Sequence, residues 1–169
     1  SIFTGYDVTG HGVDERDHQL LLAKQPELIV PTIFEITQDN GMQAAAFAGK
    51  PKFDYFFADN GSDFRILSGK DSAMDFQMAR LAIARLQEPF ALMFVHFPGV
   101  DIDGTEFAWM SPEYMNAVRQ ADQAVKQLLE ALNAVGKTET TLIFLTADHG
   151  GHGKGHGDAT PPDKTIPWI

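Results

Sequence analysis

Two apolar runs constrain this 169-residue chain more than any other feature of it. Phe90 to Phe97 reads FALMFVHF and Thr141 to Thr146 reads TLIFLT, neither with the alternation of a strand that shows one face to water. Runs of this kind fit strands covered on both faces, as in parallel sheets. Between them, Ser111-Pro112-Glu113 places Pro in a first helical turn. Tyr114, Val118, Ala121, Val125, Leu128, Leu129 and Leu132 then recur at helical spacing until Gly136 stops the pattern. Strand, amphipathic crossover, strand is the order of an α/β sheet with helices on both faces.

The preceding segments read the same way. Thr32 and Glu35 have capping-box spacing after Val30-Pro31, and Asn40-Gly41 supply a helix stop. Gln43 to Ala48 fits a short buried strand, Phe53 to Phe57 a second, and Asp59-Asn60-Gly61-Ser62 a turn. Ser72 opens a helix through Leu86, with Met74, Met78, Leu81, Ala82 and Arg85 at helical spacing, and Glu88-Pro89 breaks it. Asp14 to Leu28 is polar and ambiguous. The length suits one domain spanning residues 1–169. SIFTGYD already reads as fold interior, and TIPWI as the opening of a further strand, so the expected fold is incomplete at both ends.

Composition excludes several function classes. Without cysteine there are neither disulfides nor thiolate metal ligands. A net charge of -10 argues against a basic nucleic-acid groove. No apolar run is long enough to span a bilayer, and no charged-then-apolar leader opens the chain, which leaves the compartment undetermined. An anionic ligand would need local attraction, which a bound cation supplies.

The chemistry-bearing residues follow the two apolar runs, where ligands of α/β sheets sit. After TLIFLT, ADHGGHGKGHGD packs Asp148, His149, His152 and His156 into a Gly-rich stretch. Carboxylate and imidazole together are the ligand set for zinc and neighbouring divalent metals, and the glycines let the backbone fold back so that the ligands converge. The bland alternative is a surface loop whose histidines hold nothing. After FALMFVHF, VDIDGTE carries Asp101 and Asp103; an Asp-x-Asp-Gly turn alone is a turn, but beside the Asp148 loop it becomes a second ligand source. His96 reads as a core histidine and Lys154 as a solvated loop lysine.

From Phe94 to Gly157, the segments HFPGVDIDGTEFAWMSPEYMNAVRQADQAVKQLLEAL, TLIFLTADHGGHG and KGHGDATPPDKTIPWI resemble the type I phosphodiesterase and nucleotide pyrophosphatase branch of the alkaline phosphatase superfamily. Upstream, FTGYDVTGHGV and VPTIFEITQDNGMQAAAFAGKPKF resemble that family's Thr-Gly…His-Gly segment and the helix and strand after it. The resemblance implies an α/β, alkaline-phosphatase-like, mostly parallel sheet. It implies that Asp148 and His149 hold one metal and that Asp101 and His156 hold another, with His152 and Asp103 as alternative ligands. Up to two divalent ions, zinc foremost, would serve the complete enzyme. His11 matches a structural position, and His18 matches none. Thr105 stands where the family has an imidazole ligand, which predicts a weakened site. The family's nucleophile and an early metal-binding Asp would precede Ser1, so no residue here is assigned as the nucleophile. The expected function is metal-dependent hydrolysis of phosphoric esters, phosphodiester or nucleotide, on a small anionic substrate, with this segment inactive by itself. Alternatives are a non-catalytic metal-binding or interaction module, or a sulfatase-like or phosphoglycerate-mutase-like relative. Exposed sheet edges would also invite self-association.

Overall fold

A computed structural model describes residues 2–7, 10, 30–57, 63–67, 69, 73–158 and 160–169. Ser1, His11, His18, the stretch from Asp14 to Leu28, the Asp59–Ser62 turn and Ser72 lie outside the described residues. The chain divides into two compact units. One comprises Ser1–Ser68 with Glu88–Val95, the other Gly69–Gln87 with His96–Ile169.

The first unit holds a three-stranded parallel sheet in which Ala44–Ala48 lies between Asp63–Ile66 and Leu92–Val95. Helix α1 (Ile33–Asp39) begins with the expected capping box: Glu35 N–H donates to Thr32 Oγ1 at 3.2 Å, and Thr32 N–H to Glu35 Oε2 at 2.7 Å. Gly41, at φ +72°, completes the stop in the left-handed region. Strand β1 (Ala44–Ala48) follows and is buried along its whole length. Phe53 to Phe57, read above as a strand, instead lies mostly in a 3₁₀ helix, Pro51–Phe56. Phe3, Phe53, Phe56 and Phe57 pack on one cluster, and a 3₁₀ turn delivers Phe53, Phe56 and Phe57 to it where a strand would alternate them. β2 (Asp63–Ile66) and β3 (Leu92–Val95) pair on either side of β1.

Register explains why β1 is made of alanines. Ala46 lies opposite Phe64 of β2 and Phe94 of β3, so a large–small–large row crosses the sheet. The methyl leaves room for the aromatic cluster: Phe34 and Phe57 rings lie 5.0 Å apart, Phe57 and Phe64 4.9 Å, Phe3 and Phe94 4.8 Å. Phe3 is anchored there by its carbonyl, which accepts from Ile33 N–H at 2.7 Å. The apolar run from Phe90 forms a shorter strand than expected, and its side chains are half-buried, since β3 is an edge strand of this sheet.

The second unit is helical with a long C-terminal loop. α2 (Met74–Arg85) and α3 (Gly99–Phe107) both pack against α4 (Pro112–Ala134). Ser111 caps α4 by accepting from Tyr114 N–H at 3.1 Å, with Pro112 in the first turn, and Gly136 at φ +71° lies just beyond it. A 3₁₀ turn at Thr138–Thr140 precedes Thr141 to Thr146. The expected strand there is corrected: the segment joins no ladder among the described residues. It meets the C-terminus through a single antiparallel bridge, Thr146 to Trp168, flanked by reciprocal hydrogen bonds between Leu145 and Ile169. Leu142, Ile143 and Phe144 stay exposed in consequence. A short helix, α5 (Pro161–Lys164), lies between the Gly-rich loop and the last residues. Among the described residues, no helix is long and apolar enough to cross a membrane.

Candidate metal centre

Asp101 is presented by α3, not by a turn. Pro98 and Gly99 start the helix directly, and Gly99 N–H donates to the buried carboxylate of Asp75 at 2.9 Å. Helical geometry then separates the two acids of the DID sequence, since residues two apart face different sides. Asp101 meets the C-terminal loop, whereas the charge of Asp103 is felt by Asp75. Asp75 is pushed up to about 6, chiefly by burial, against the lowering effect of the Gly99 N–H and with the help of Asp103.

The loop brings His149 and His156 together on Asp101. Their Nε2 atoms stand 3.8 and 3.5 Å from Asp101 Oδ1, and the rings stack with centroids 3.8 Å apart and planes 10° from parallel. A hairpin closes the loop between them, with His152 and Gly155 exchanging backbone hydrogen bonds at 3.0 Å in both directions. His149 Nδ1 lies 2.7 Å from the Gly150 carbonyl, which can only accept, so in the neutral ring Nδ1 carries the proton and Nε2 is the nitrogen offered to a metal.

Gly150 and Gly151 are steric requirements. A Cβ on Gly151 would enter the Trp109 indole, and one on Gly150 would strike the Pro162 carbonyl. Trp109 N–H donates to the Gly153 carbonyl at 2.7 Å, and its ring meets His156 edge-on at 5.9 Å. The turn delivering Trp109 is strained, with Ala108 at φ +88° and Met110 at φ +69° on either side of it. Sequence reasoning missed Trp109; the paired glycines at 150 and 151 were the available signal that a bulky group approaches the loop.

Asp101, His149 and His156 thus offer one ligand atom each, all within 4.8 Å of one another. Donors about 2.0–2.2 Å from a tetrahedral ion lie roughly 3.4 Å apart, close to the Asp101–His156 and Asp101–His149 separations, but the two rings are nearly parallel, so one of them has to rotate before both in-plane lone pairs meet a shared ion. Asp148 has Oδ2 3.7 Å from His149 Nε2 and is more exposed than the three. Thr105 is turned away: its hydroxyl bonds back to the carbonyls of Asp101 and Ile102 at 3.0 Å. His152 joins a different group, with Asp158 and the buried Asp163 of α5. His96, just beyond β3, is half-buried.

Two solved structures share this architecture. Phosphonoacetate hydrolase from Sinorhizobium meliloti, in complex with phosphonoacetate, superposes with a TM-score of 0.61 at 20% identity, over 89% of this chain and 43% of that one. Leishmania mexicana phosphoglycerate mutase, at low cobalt concentration, gives 0.58 at 16% identity, over 86% and 30%. The likeness shows the fold, which is α/β and alkaline-phosphatase-like. Residues 22–154 match the type I phosphodiesterase / nucleotide pyrophosphatase family, and the chain belongs to it. Among curated relatives, GPI ethanolamine phosphate transferase 1 of Gibberella zeae is 28% identical over 119 residues, 70% of this chain and 11% of that protein. The Chaetomium globosum protein of the same name is 32% identical over 85 residues, 50% of this chain and 9% of that protein. Steryl-sulfatase of Rattus norvegicus is 40% identical over 68 residues, 38% and 12% respectively. The matches span about a tenth of the length of these relatives.

Proposed function

We propose that this chain is the metal-binding part of a divalent-metal-dependent hydrolase of phosphoric esters, with phosphodiesters or nucleotides as substrates. The convergence of His149 and His156 on Asp101 carries the reading. An oxygen and two imidazole nitrogens suit zinc, and Asp148 beside His149 offers a carboxylate for a second ion. When bound, such ions supply positive charge against the oxygens of the ester, which the chain itself, at net charge -10, lacks. The residues do the placing. Gly150 sets the tautomer of His149, Asp75 holds the first turn of α3, and Trp109 walls the loop beside His156. The names of the phosphate transferases support chemistry at phosphorus, while those of the steryl-sulfatase and the phosphonoacetate hydrolase widen it to sulfate and phosphonate substrates.

Thr105 favours one further reading, a scaffold that binds metal without catalysis, because its hydroxyl is spent on the helix backbone where the family has an imidazole. Zinc uptake by the full 169-residue chain, measured by calorimetry with elemental analysis, tests the proposal. His149→Ala should weaken the tightest zinc-binding event by about a hundredfold or more while leaving the fold intact, since the ligand lies on a loop. Equal tight binding in that variant would overturn the assignment.

A further inference from the structure

We propose that His152, Asp158 and Asp163 form a second divalent-cation site, independent of Asp101, His149 and His156. His152 Nδ1 and Asp163 Oδ1 are 2.8 Å apart, so the buried carboxylate holds the ring in one orientation and turns Nε2 outward. Nε2 stands 3.8 Å from Asp158 Oδ2. One donor atom from each residue lies within 4.8 Å of the others.

Asp163 is the buried member of the group. It is 4% exposed, and its Oδ2 is buried without a hydrogen bond of standard geometry. The Asp158 N–H and the Thr160 hydroxyl are near enough to favour its charge without closing such a bond. A buried carboxylate with an oxygen to spare demands positive charge. The hydrogen bond to Asp163 raises His152 from its ordinary value and holds Asp163 below its own, so a proton on the imidazole meets part of that demand. A divalent ion on Nε2 and Asp158 meets it more fully, with Asp163 either orienting the ring or supplying Oδ2.

An imidazole backed by a buried carboxylate also suits an anion-binding or proton-donating role. Asp158 decides between the two, because a carboxylate 3.8 Å from Nε2 repels a phosphate and offers a cation its second donor. The hairpin at His152 and Gly155 fixes the ring's backbone, so little ordering is left for binding. Mixed nitrogen and oxygen donors with open positions fit zinc, manganese or cobalt.

The test uses the full chain carrying Asp101→Ala and His149→Ala, which silences the first centre, so the two assignments fail separately. Zinc chloride is titrated by calorimetry while the His152 Cε1 proton is followed by NMR. One residual zinc event that moves the His152 signal is expected. It should vanish in His152→Ala and weaken about tenfold in Asp158→Ala; the latter is an exposed change that leaves folding undisturbed should the former not fold. No zinc event in the silenced chain, or an event unchanged in Asp158→Ala, overturns the proposal. So does a His152 signal that inorganic phosphate moves and zinc does not.

Discussion

Position 105 lies one helical turn beyond Asp101 on the same face of α3, the spacing at which two side chains reach one ligand. The hydroxyl there bonds to its own helix, so the first centre is left with the donors of Asp101, His149 and His156. Thr105→His should supply an imidazole at that spacing and tighten zinc binding by about tenfold, as read by competition with a chromogenic chelator. Ala108 presents the opposite case, a residue that is wrong for its backbone. At φ +88° and ψ 145° it occupies a region that glycine enters freely and alanine does not. Ala108→Gly should therefore stabilise the chain by about 1 kcal/mol in urea denaturation, despite the greater entropy of glycine in the unfolded state.

The elements depend on contacts that the linear pattern conceals. α3 starts where the Gly99 N–H finds the Asp75 carboxylate, 24 residues upstream. Because Asp75 is raised to about 6 from an ordinary value near 3.8, the native state keeps its proton where the unfolded chain has released it. Its contribution to stability is complete below about pH 4 and declines as pH rises towards 6, by roughly 3 kcal/mol in all. Asp75→Asn keeps an acceptor for Gly99 and removes the titration. The stability difference between variant and parent should grow in favour of the variant across that window and then level off, which urea midpoints at several pH values would show. α1, β1 and α4 were legible in the sequence because caps, glycine stops and apolar spacing are local signals. The helix carrying Asp101 was not, since Asp-x-Asp-Gly favours a turn and the group that starts the helix is remote. The 3₁₀ turn at Phe53 was hidden for a related reason: an aromatic run states that it is buried, not by which backbone. His149, His156 and Asp101 were legible as a set of donor types, while the separation of His152 from them depended on Asp163, which no spacing singled out.

At the scale of the molecule, a run of exposed apolar side chains among the described residues comprises Leu142 to Leu145 together with Trp168 and Ile169, and its two segments meet through the Leu145–Ile169 hydrogen bonds. We propose that this ribbon, together with the edges of the sheet, supports self-association. The net charge of -10 opposes it, and salt screens that repulsion over a Debye length of about 10 Å at 0.1 M. Sedimentation velocity should accordingly show association that increases with ionic strength and is weakened in Phe144→Glu; association that falls with salt would point to ion pairing. The Phe64–Ala46–Phe94 row has a consequence for how this chain can change over generations. A larger residue at 46 has no room until 64 or 94 has shrunk, while a smaller one at either flank leaves a void until 46 has grown. The three positions are therefore bound to an order of events, in which a bulkier central residue is cheapest to admit after one flank has loosened.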